Sequence, residues 1–299
     1  MTSSKIAAPA AFALAAAIGL TAAAHAAPPV DRGIFSDLDG TVALALPGRG
    51  ELRDPRLGIV PGRKVLVVLD GDYPLAAFGL PARAPATPRT FAAMAALLEP
   101  VEIQALSAWF APDSRIEALA KAHDADGDGI PDQLDVLYGA RKLAANRAAY
   151  TEGYVRISHP GGDVPRRTGV CSDTIVRALR NAGYDLQRLV AEDIRRAPAA
   201  YPQVLRPDAN IDHRRVKNLL RWFQRHAVAV PQGEPLRPGE ILFLDTFPGR
   251  PGPEHVGIAS DRRAPSGQRL VINNWTNGHV EEDMELLSFV PVTHRFRLP

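Results

Sequence analysis

Residues 169–183 read GVCSDTIVRALRNAG and contain Cys171, the only cysteine of the 299-residue chain. Apolar residues recur every three or four positions after the cysteine, which predicts an amphipathic helix that begins at the thiol. The N–H groups and the positive dipole end at a helix start favour a thiolate, so this position is expected to lower the thiol pKa. A lone cysteine is more often a small buried residue, so other segments must support a nucleophilic role.

Two apolar stretches downstream carry the other groups that a cysteine nucleophile needs. EHVGIAS places His255 at the start of a strand, and LVINNW ends a second strand with Asn273 and Asn274. A cysteine, a general base and a polar residue that orients the base are typical of papain-like cysteine hydrolases. Neighbouring strand residues point to opposite faces, so one amide alone is expected to orient His255. We favour Asn273 and keep Asn274 as the alternative.

An acidic loop, DADGDGIPDQLD at residues 124–135, has the ligand spacing of a calcium loop. Alternate positions carry carboxylates, and Gly129 supplies the turn. Asp rather than the usual Glu stands at the closing position. The candidate ligands of this structural calcium site are Asp124, Asp126, Asp128, the carbonyl of Ile130, Asp132 and Asp135. The alternative is a solvated acidic turn.

The first 27 residues are predicted to be a secretory signal peptide. They contain one lysine, an Ala/Leu/Ile run and a small-residue site at Ala24-His25-Ala26. Cleavage near Ala27 would give an exported protein of the periplasm or extracellular space without an integral membrane segment. A retained anchor is the weaker alternative, because prolines follow the apolar run at once. An unpaired cysteine in an oxidising compartment suggests deep burial or use.

Composition and charge place the chain among globular proteins. Its residues are 46% hydrophobic, enough for one sizeable core and a smaller domain. The formal net charge is +2, and basic and acidic residues are mixed, so no nucleic-acid partner is indicated. The oligomeric state is not indicated by the sequence.

The predicted fold class is α+β, with three parts after the signal peptide of residues 1–27. A small β-rich module spans residues 28–88 and contains a hairpin around Asp70-Gly71-Asp72. A helical connector with the calcium loop spans residues 89–149. The hydrolase domain spans residues 150–299.

An ordered set of motifs in the last 150 residues resembles a known family. The motifs are PGGDVP (160–165), GVCSD (169–173), PDANIDHRRV (207–216), RPGEILFL (237–244), EHVGI (254–258), VINNW (271–275) and EED (281–283). They resemble the bacterial exported family called domain of unknown function 1287, which is similar to NlpC-type cell-wall peptidases. The resemblance implies a papain-like domain with helices against an antiparallel sheet.

The same resemblance implies roles for individual residues. Cys171 matches the nucleophile, His255 the general base, and the third member falls in VINN, where relatives often carry histidine at the position of Asn273. Tyr154 stands where such enzymes often place a tyrosine against the site. Cell-wall peptides are the implied substrate.

The sequence therefore predicts an exported cysteine hydrolase that cleaves an amide bond, in peptidoglycan peptides, through a Cys171 thioester. One alternative is an acyltransferase or esterase at the same site, because an acceptor other than water can resolve a thioester. Another is a calcium-dependent wall-binding module without activity. Two smaller expectations accompany this reading: Glu281, Glu282 and Asp283 form a solvated acidic turn, and Arg214 and Arg215 are available to a substrate carboxylate.

Overall fold

The computed structural model describes residues 51–59, 65–71, 73–80, 96, 98–110, 122–247, 249–250 and 252–299, and the backbone of 42–45. The chain divides into two compact units, Met1–Asp113 and Ser114–Pro299. The predicted signal peptide lies outside the described residues.

The first unit is built on a four-stranded antiparallel sheet. Its strands, in sheet order, are β1 (Val42–Ala45), β2 (Pro55–Ile59), β3 (Val65–Asp70) and β4 (Tyr73–Gly79). Strands β3 and β4 form the predicted hairpin, in which Gly71 takes a positive φ of 58°. Helix α1 (Pro100–Phe110) contributes Leu106 to the core of this sheet. The helix, placed in the connector by the sequence prediction, thus packs within the first unit.

The described part of the second unit contains four α-helices: α2 (Asp132–Asn146), α3 (Cys171–Asn181), α4 (Leu186–Arg196) and α5 (Val216–His226). The apolar spacing after Cys171 produces α3, as predicted, with Ile175, Val176 and Leu179 buried along one side. Helices α2 and α3 approach closely at Gly139. A Cβ at that position would lie 2.8 Å from the Cβ of Asn181, so only glycine fits without a shift.

The second unit also contains a six-stranded antiparallel sheet. The strands are β7 (Val228–Ala229), β8 (Ile241–Leu244), β9 (His255–Arg263), β10 (Arg269–Asn273), β11 (Glu282–Met284) and β12 (Val292–Arg297). Their order is β11-β10-β9-β8-β12-β7. A separate parallel pair, β5 (Ala149–Tyr150) with β6 (Thr168–Gly169), leads into α3.

The central strand β8 is buried along its whole length, which explains its uniformly apolar sequence ILFL. Phe243 stacks edge to face with Phe223 of α5 and with Phe296 of β12. Leu242 and Leu244 join a separate apolar cluster with Val271 and residues near the C-terminus. Both faces of the sheet are therefore covered by apolar side chains, and helix α5 packs on one of them.

These elements confirm an α+β fold with antiparallel sheets. Within the described part of the chain, every helix is too short or too polar to cross a membrane.

Candidate active site

Cys171 is the first residue of α3 and is 6% exposed. The backbone N–H of Val256 donates to its sulfur, which places the thiol against the start of β9. Burial raises the pKa of the thiol to about 12, and the Asp173 carboxylate acts in the same direction. The prediction of a lowered thiol pKa is therefore wrong for this protein, because desolvation outweighs the hydrogen bonds donated by the helix start and by Val256.

Asp173 organises the first turn of α3. Its carboxylate accepts the Val170 N–H at 2.7 Å and a two-pronged contact from Arg214, Nε to Oδ1 at 2.7 Å and Nη2 to Oδ2 at 2.9 Å. The Ser172 hydroxyl donates to the Arg214 carbonyl at 2.6 Å. Arg214 is therefore a buried partner of α3 and is not available to a substrate carboxylate, contrary to the sequence expectation.

His255 is the first residue of β9, and Asn273, the last residue of β10, fixes its imidazole. His255 Nε2 lies 2.9 Å from Asn273 Oδ1, while Asn273 Nδ2 donates to the Val271 carbonyl at 3.2 Å. This amide orientation makes Nε2 the protonated ring nitrogen, which leaves the lone pair on Nδ1. Burial lowers the pKa of His255 to about 4, so the imidazole is neutral at pH 7 and able to accept a proton.

Asn274 does not contact the imidazole in the same way as Asn273 but bonds to backbone carbonyls before α3. Its Nδ2 donates to the carbonyls of Ala148 and Gly169, each at 3.2 Å. Asn274 thus ties the end of β10 to the segment that precedes the nucleophile, whereas Asn273 contacts the histidine.

Tyr150, which the sequence did not single out, lies on the strand that pairs with the segment before α3, opposite Gly169. Burial raises the pKa of Tyr150, and the charge of Cys171 acts in the same direction. The Tyr150 hydroxyl donates to Glu152 Oε1 at 3.1 Å. Tyr154, the residue that the family resemblance suggested, instead donates to Asp208 Oδ2 at 3.1 Å and is 61% exposed. The position of Tyr150 follows from the pairing of β5 with β6. These strands are two residues long and distant in sequence, so no local pattern predicts their pairing.

Glu281 is 1% exposed, so the expectation of a solvated turn is wrong at this position. It accepts a short hydrogen bond from the Thr174 hydroxyl, one helical turn after Cys171. Burial raises the pKa of Glu281 to about 7, and Arg177 opposes that shift. Its neighbours Glu282 and Asp283 are half-buried and pair with Arg147 and Arg262.

The acidic loop gathers three of its six candidate ligands. One carboxylate oxygen from each of Asp124, Asp126 and Asp128 lies within 4.8 Å of the others. The N–H groups of Gly127 and Gly129 donate to Asp124 and hold the loop in its turn, and Gly129 has a φ of 90° that favours glycine. Three converging carboxylates suit a hard divalent cation.

Two predicted ligands have protein partners instead. Asp132 contacts His123 Nδ1 at 2.8 Å, the Ala125 N–H at 2.8 Å and the Tyr184 hydroxyl. Asp135 accepts from the amide of Asn181 on α3. Ile130 enters the loop through its N–H, which donates to Asp128 Oδ1 at 2.8 Å. The residues therefore fit a cation held by the first three aspartates, while a complete EF-hand would require Asp132 and Asp135 to change partners.

Comparison with known proteins shows a family match over the second half of the chain. Residues 137–298 match the model of a domain of unknown function, DUF1287. The uncharacterized protein YijF of Escherichia coli strain K12 is 44% identical over 156 residues, which cover 50% of this chain and 75% of YijF. No solved structure matches the chain. The matched range contains Cys171, His255 and Asn273, and on this similarity the chain belongs to the DUF1287 family.

Proposed function

We propose that this protein is an exported cysteine hydrolase that cleaves an amide bond in cell-wall peptides. The observation that carries the proposal is the hydrogen bond between His255 Nε2 and Asn273 Oδ1, with Cys171 beside the residue that follows the histidine. A histidine with its lone pair on Nδ1, next in sequence to the residue that contacts a helix-start cysteine, is suited to general-base activation of that thiol.

The chemistry would start from a neutral thiol and a neutral imidazole. As the Cys171 sulfur attacks the substrate carbonyl carbon, its proton passes to His255 Nδ1, and a tetrahedral oxyanion forms. The imidazolium then protonates the leaving amine nitrogen while the C–N bond breaks, which leaves a thioester on Cys171. Water, deprotonated by His255, attacks that thioester; the carboxylic acid departs, and the sulfur recovers its proton.

The first turn of α3 supports the oxyanion in this scheme. The N–H groups of Cys171 and Ser172 lie toward the sulfur, where charge develops on an attacked carbonyl. Tyr150, on the strand that pairs with the segment before α3, offers a phenol to the bound substrate in this scheme. Trp275, whose ring meets the His255 ring edge to face at 4.8 Å, shields the base from water.

We also propose that the domain is papain-like and similar to NlpC-type peptidases. Two features support this: the nucleophile opens a helix that packs on an antiparallel sheet, and the base and its orienting amide lie on adjacent strands of that sheet. The cell-wall substrate is supported by the motif resemblance, and export by the predicted signal peptide. Calcium is proposed as a structural ion at Asp124, Asp126 and Asp128.

The test is digestion of purified peptidoglycan, with mass spectrometry of the released fragments. Wild-type protein should release peptides with new carboxyl and amine ends, while Cys171→Ala and His255→Ala should release none. Addition of a free amine acceptor separates hydrolysis from acyl transfer, because a transferase would produce the amide adduct. Wild-type and Cys171→Ala digests that remain identical would refute the proposal.

A further inference from the structure

The structure contains a buried polar cluster behind the nucleophile helix. It consists of Glu281, Asn274 and Thr174, with the Ala148 carbonyl at its centre. That carbonyl accepts from the Glu281 N–H at 2.9 Å and from Asn274 Nδ2 at 3.2 Å. The Glu281 carboxyl then reaches Thr174 on α3. The cluster therefore joins the β10–β11 region directly to the helix that carries Cys171.

Two oxygen atoms in this cluster have no hydrogen-bond partner: Glu281 Oε2 and Asn274 Oδ1. Both belong to side chains that are 1% exposed. A buried acceptor without a donor costs free energy, and an ionised carboxylate costs more than a neutral acid. A proton on Glu281 removes the charge and gives the carboxyl a hydrogen that it can donate.

We propose that Glu281 is a positioning residue whose protonated carboxyl joins the β10–β11 region to α3, and that its ionisation places an uncompensated charge in this buried cluster and loosens the packing behind Cys171. The proton exchanges with solvent, and no other group is consumed. The charged groups that face Glu281 are Arg177 and Asp173 of α3 and Asp163 of the preceding segment. Arg177 is itself engaged by Asp163, Nε to Oδ2 at 2.9 Å, so its charge is shared. The importance of this device rests on the proposed function, but its test needs no cell-wall substrate.

Linkage gives the sign of the effect on stability. The pKa of Glu281 is raised from 4.5 to about 7 in the folded protein. Between those values the folded state keeps a proton that the unfolded chain has lost, so stability falls as pH rises through this window. Two buried histidines, His213 and His255, have pKa values lowered to about 4 and change stability in the opposite direction. The contribution of Glu281 is therefore read from the difference in the free energy of unfolding between wild type and Glu281→Gln at each pH.

The first experiment measures urea unfolding of both proteins from pH 4.5 to 8. The folding equilibrium constant of wild type should fall relative to that of Glu281→Gln by on the order of 100-fold across this range. Glu282→Gln is the matched control, because Glu282 is the next residue and forms a half-buried pair with Arg147; its curve should run parallel to wild type. Parallel curves for Glu281→Gln and wild type would overturn the proposal.

The second experiment reads the position of the nucleophile. Iodoacetamide should alkylate Cys171 of wild type several-fold faster than Cys171 of Glu281→Gln at pH 8.5, and at the same rate at pH 5.5, because only wild type ionises behind the helix. Thr174→Ser should preserve this pH dependence and Thr174→Val should weaken it. A rate ratio that does not change with pH would show that Glu281 has no positioning role.

If Glu281→Gln fails to fold, the titration of the Glu281 carboxyl is measured by carbon-13 NMR in the wild-type protein. A Glu281 titration near pH 7 supports the proposal, and one near 4.5 overturns it. Failure of peptidoglycan digestion would leave these results unaffected, so the two proposals can fail separately.

Discussion

At the scale of single residues, Cys171 and His255 are both uncharged in the folded protein at neutral pH. Burial keeps the Cys171 thiol protonated and the His255 imidazole unprotonated, and Asn273 selects the tautomer. In the proposed reaction the proton moves only when an electrophile is present, since neither charged form is stable in a buried site. The resting protein should consequently show little of the thiol reactivity that an ion-paired cysteine shows.

This leads to a prediction about alkylation. With a thiol pKa of about 12, native Cys171 should react with iodoacetamide more slowly than a free thiol at every pH from 6 to 9. Its rate should rise by about tenfold or more per pH unit without a plateau, because the thiolate fraction rises in proportion. The same protein in urea serves as the control and should show an ordinary thiol titration. A plateau near pH 6 in the native protein would instead demonstrate a stable thiolate.

A second prediction separates the adjacent amides. Asn273→Ala removes the hydrogen bond that selects the His255 tautomer, so peptidoglycan turnover should fall by about 10²-fold or more with little loss of stability. Nitrogen-15 NMR of His255 should show a mixture of tautomers in this variant. Asn274→Ala should leave the tautomer unchanged and destabilise the protein by about 1–3 kcal/mol, because two buried hydrogen bonds from Asn274 Nδ2 are lost. The reverse pattern would contradict the assignment.

At the scale of elements, the sequence patterns predict helices and strands well and the pairing between them poorly. The amphipathic helices at Cys171–Asn181 and Val216–His226 and the hairpin at Gly71 follow from local spacing and turn chemistry. The contacts of Glu281 and Arg214 do not. Each lies in a charged motif that reads as exposed, and each is buried by a partner distant in sequence. Local patterns carry no information about such partners.

The crossing of α2 and α3 supplies a prediction about packing. Alanine is favoured over glycine in a helix by about 1 kcal/mol. At Gly139, however, the new Cβ would lie 2.9 Å from the Ala178 Cα, a backbone atom that cannot move cheaply. Gly139→Ala should therefore lower the free energy of unfolding by about 1–3 kcal/mol. The control is Gly233→Ala, where no atom lies within 4 Å, and its unfolding curve should match wild type.

The acidic loop is the element for which calcium can be tested directly. A cation that binds Asp124, Asp126 and Asp128 in the folded protein stabilises it by mass action. Calcium should raise the melting temperature, and Asp126→Ala combined with Asp128→Ala should remove that response. Glu234→Gln is the control, because Glu234 lies outside the loop and pairs with Arg297; this variant should keep the calcium response. Equal melting curves in calcium and in chelator would identify the loop as a solvated turn.

At the scale of the whole molecule, each unit has its own apolar core. The first is centred on Leu57, Leu66 and Val68, and the second on the strands around Leu242 and Val271. The family match, residues 137–298, falls within the second unit, as do Cys171, His255 and Asn273. A domain with its own hydrophobic core can in principle fold alone.

The second unit, residues 114–299, should therefore fold without the first. We expect a single cooperative urea transition, because the antiparallel sheet and the four helices share one packed structure. Its Cys171 alkylation rate should match that of the full chain from pH 6 to 9, since the groups that set the thiol pKa, Val256, Asp173 and the first turn of α3, all lie within it. A fragment that unfolds without cooperativity, or whose thiol reacts as freely as in urea, would show that the first unit is needed to form the site.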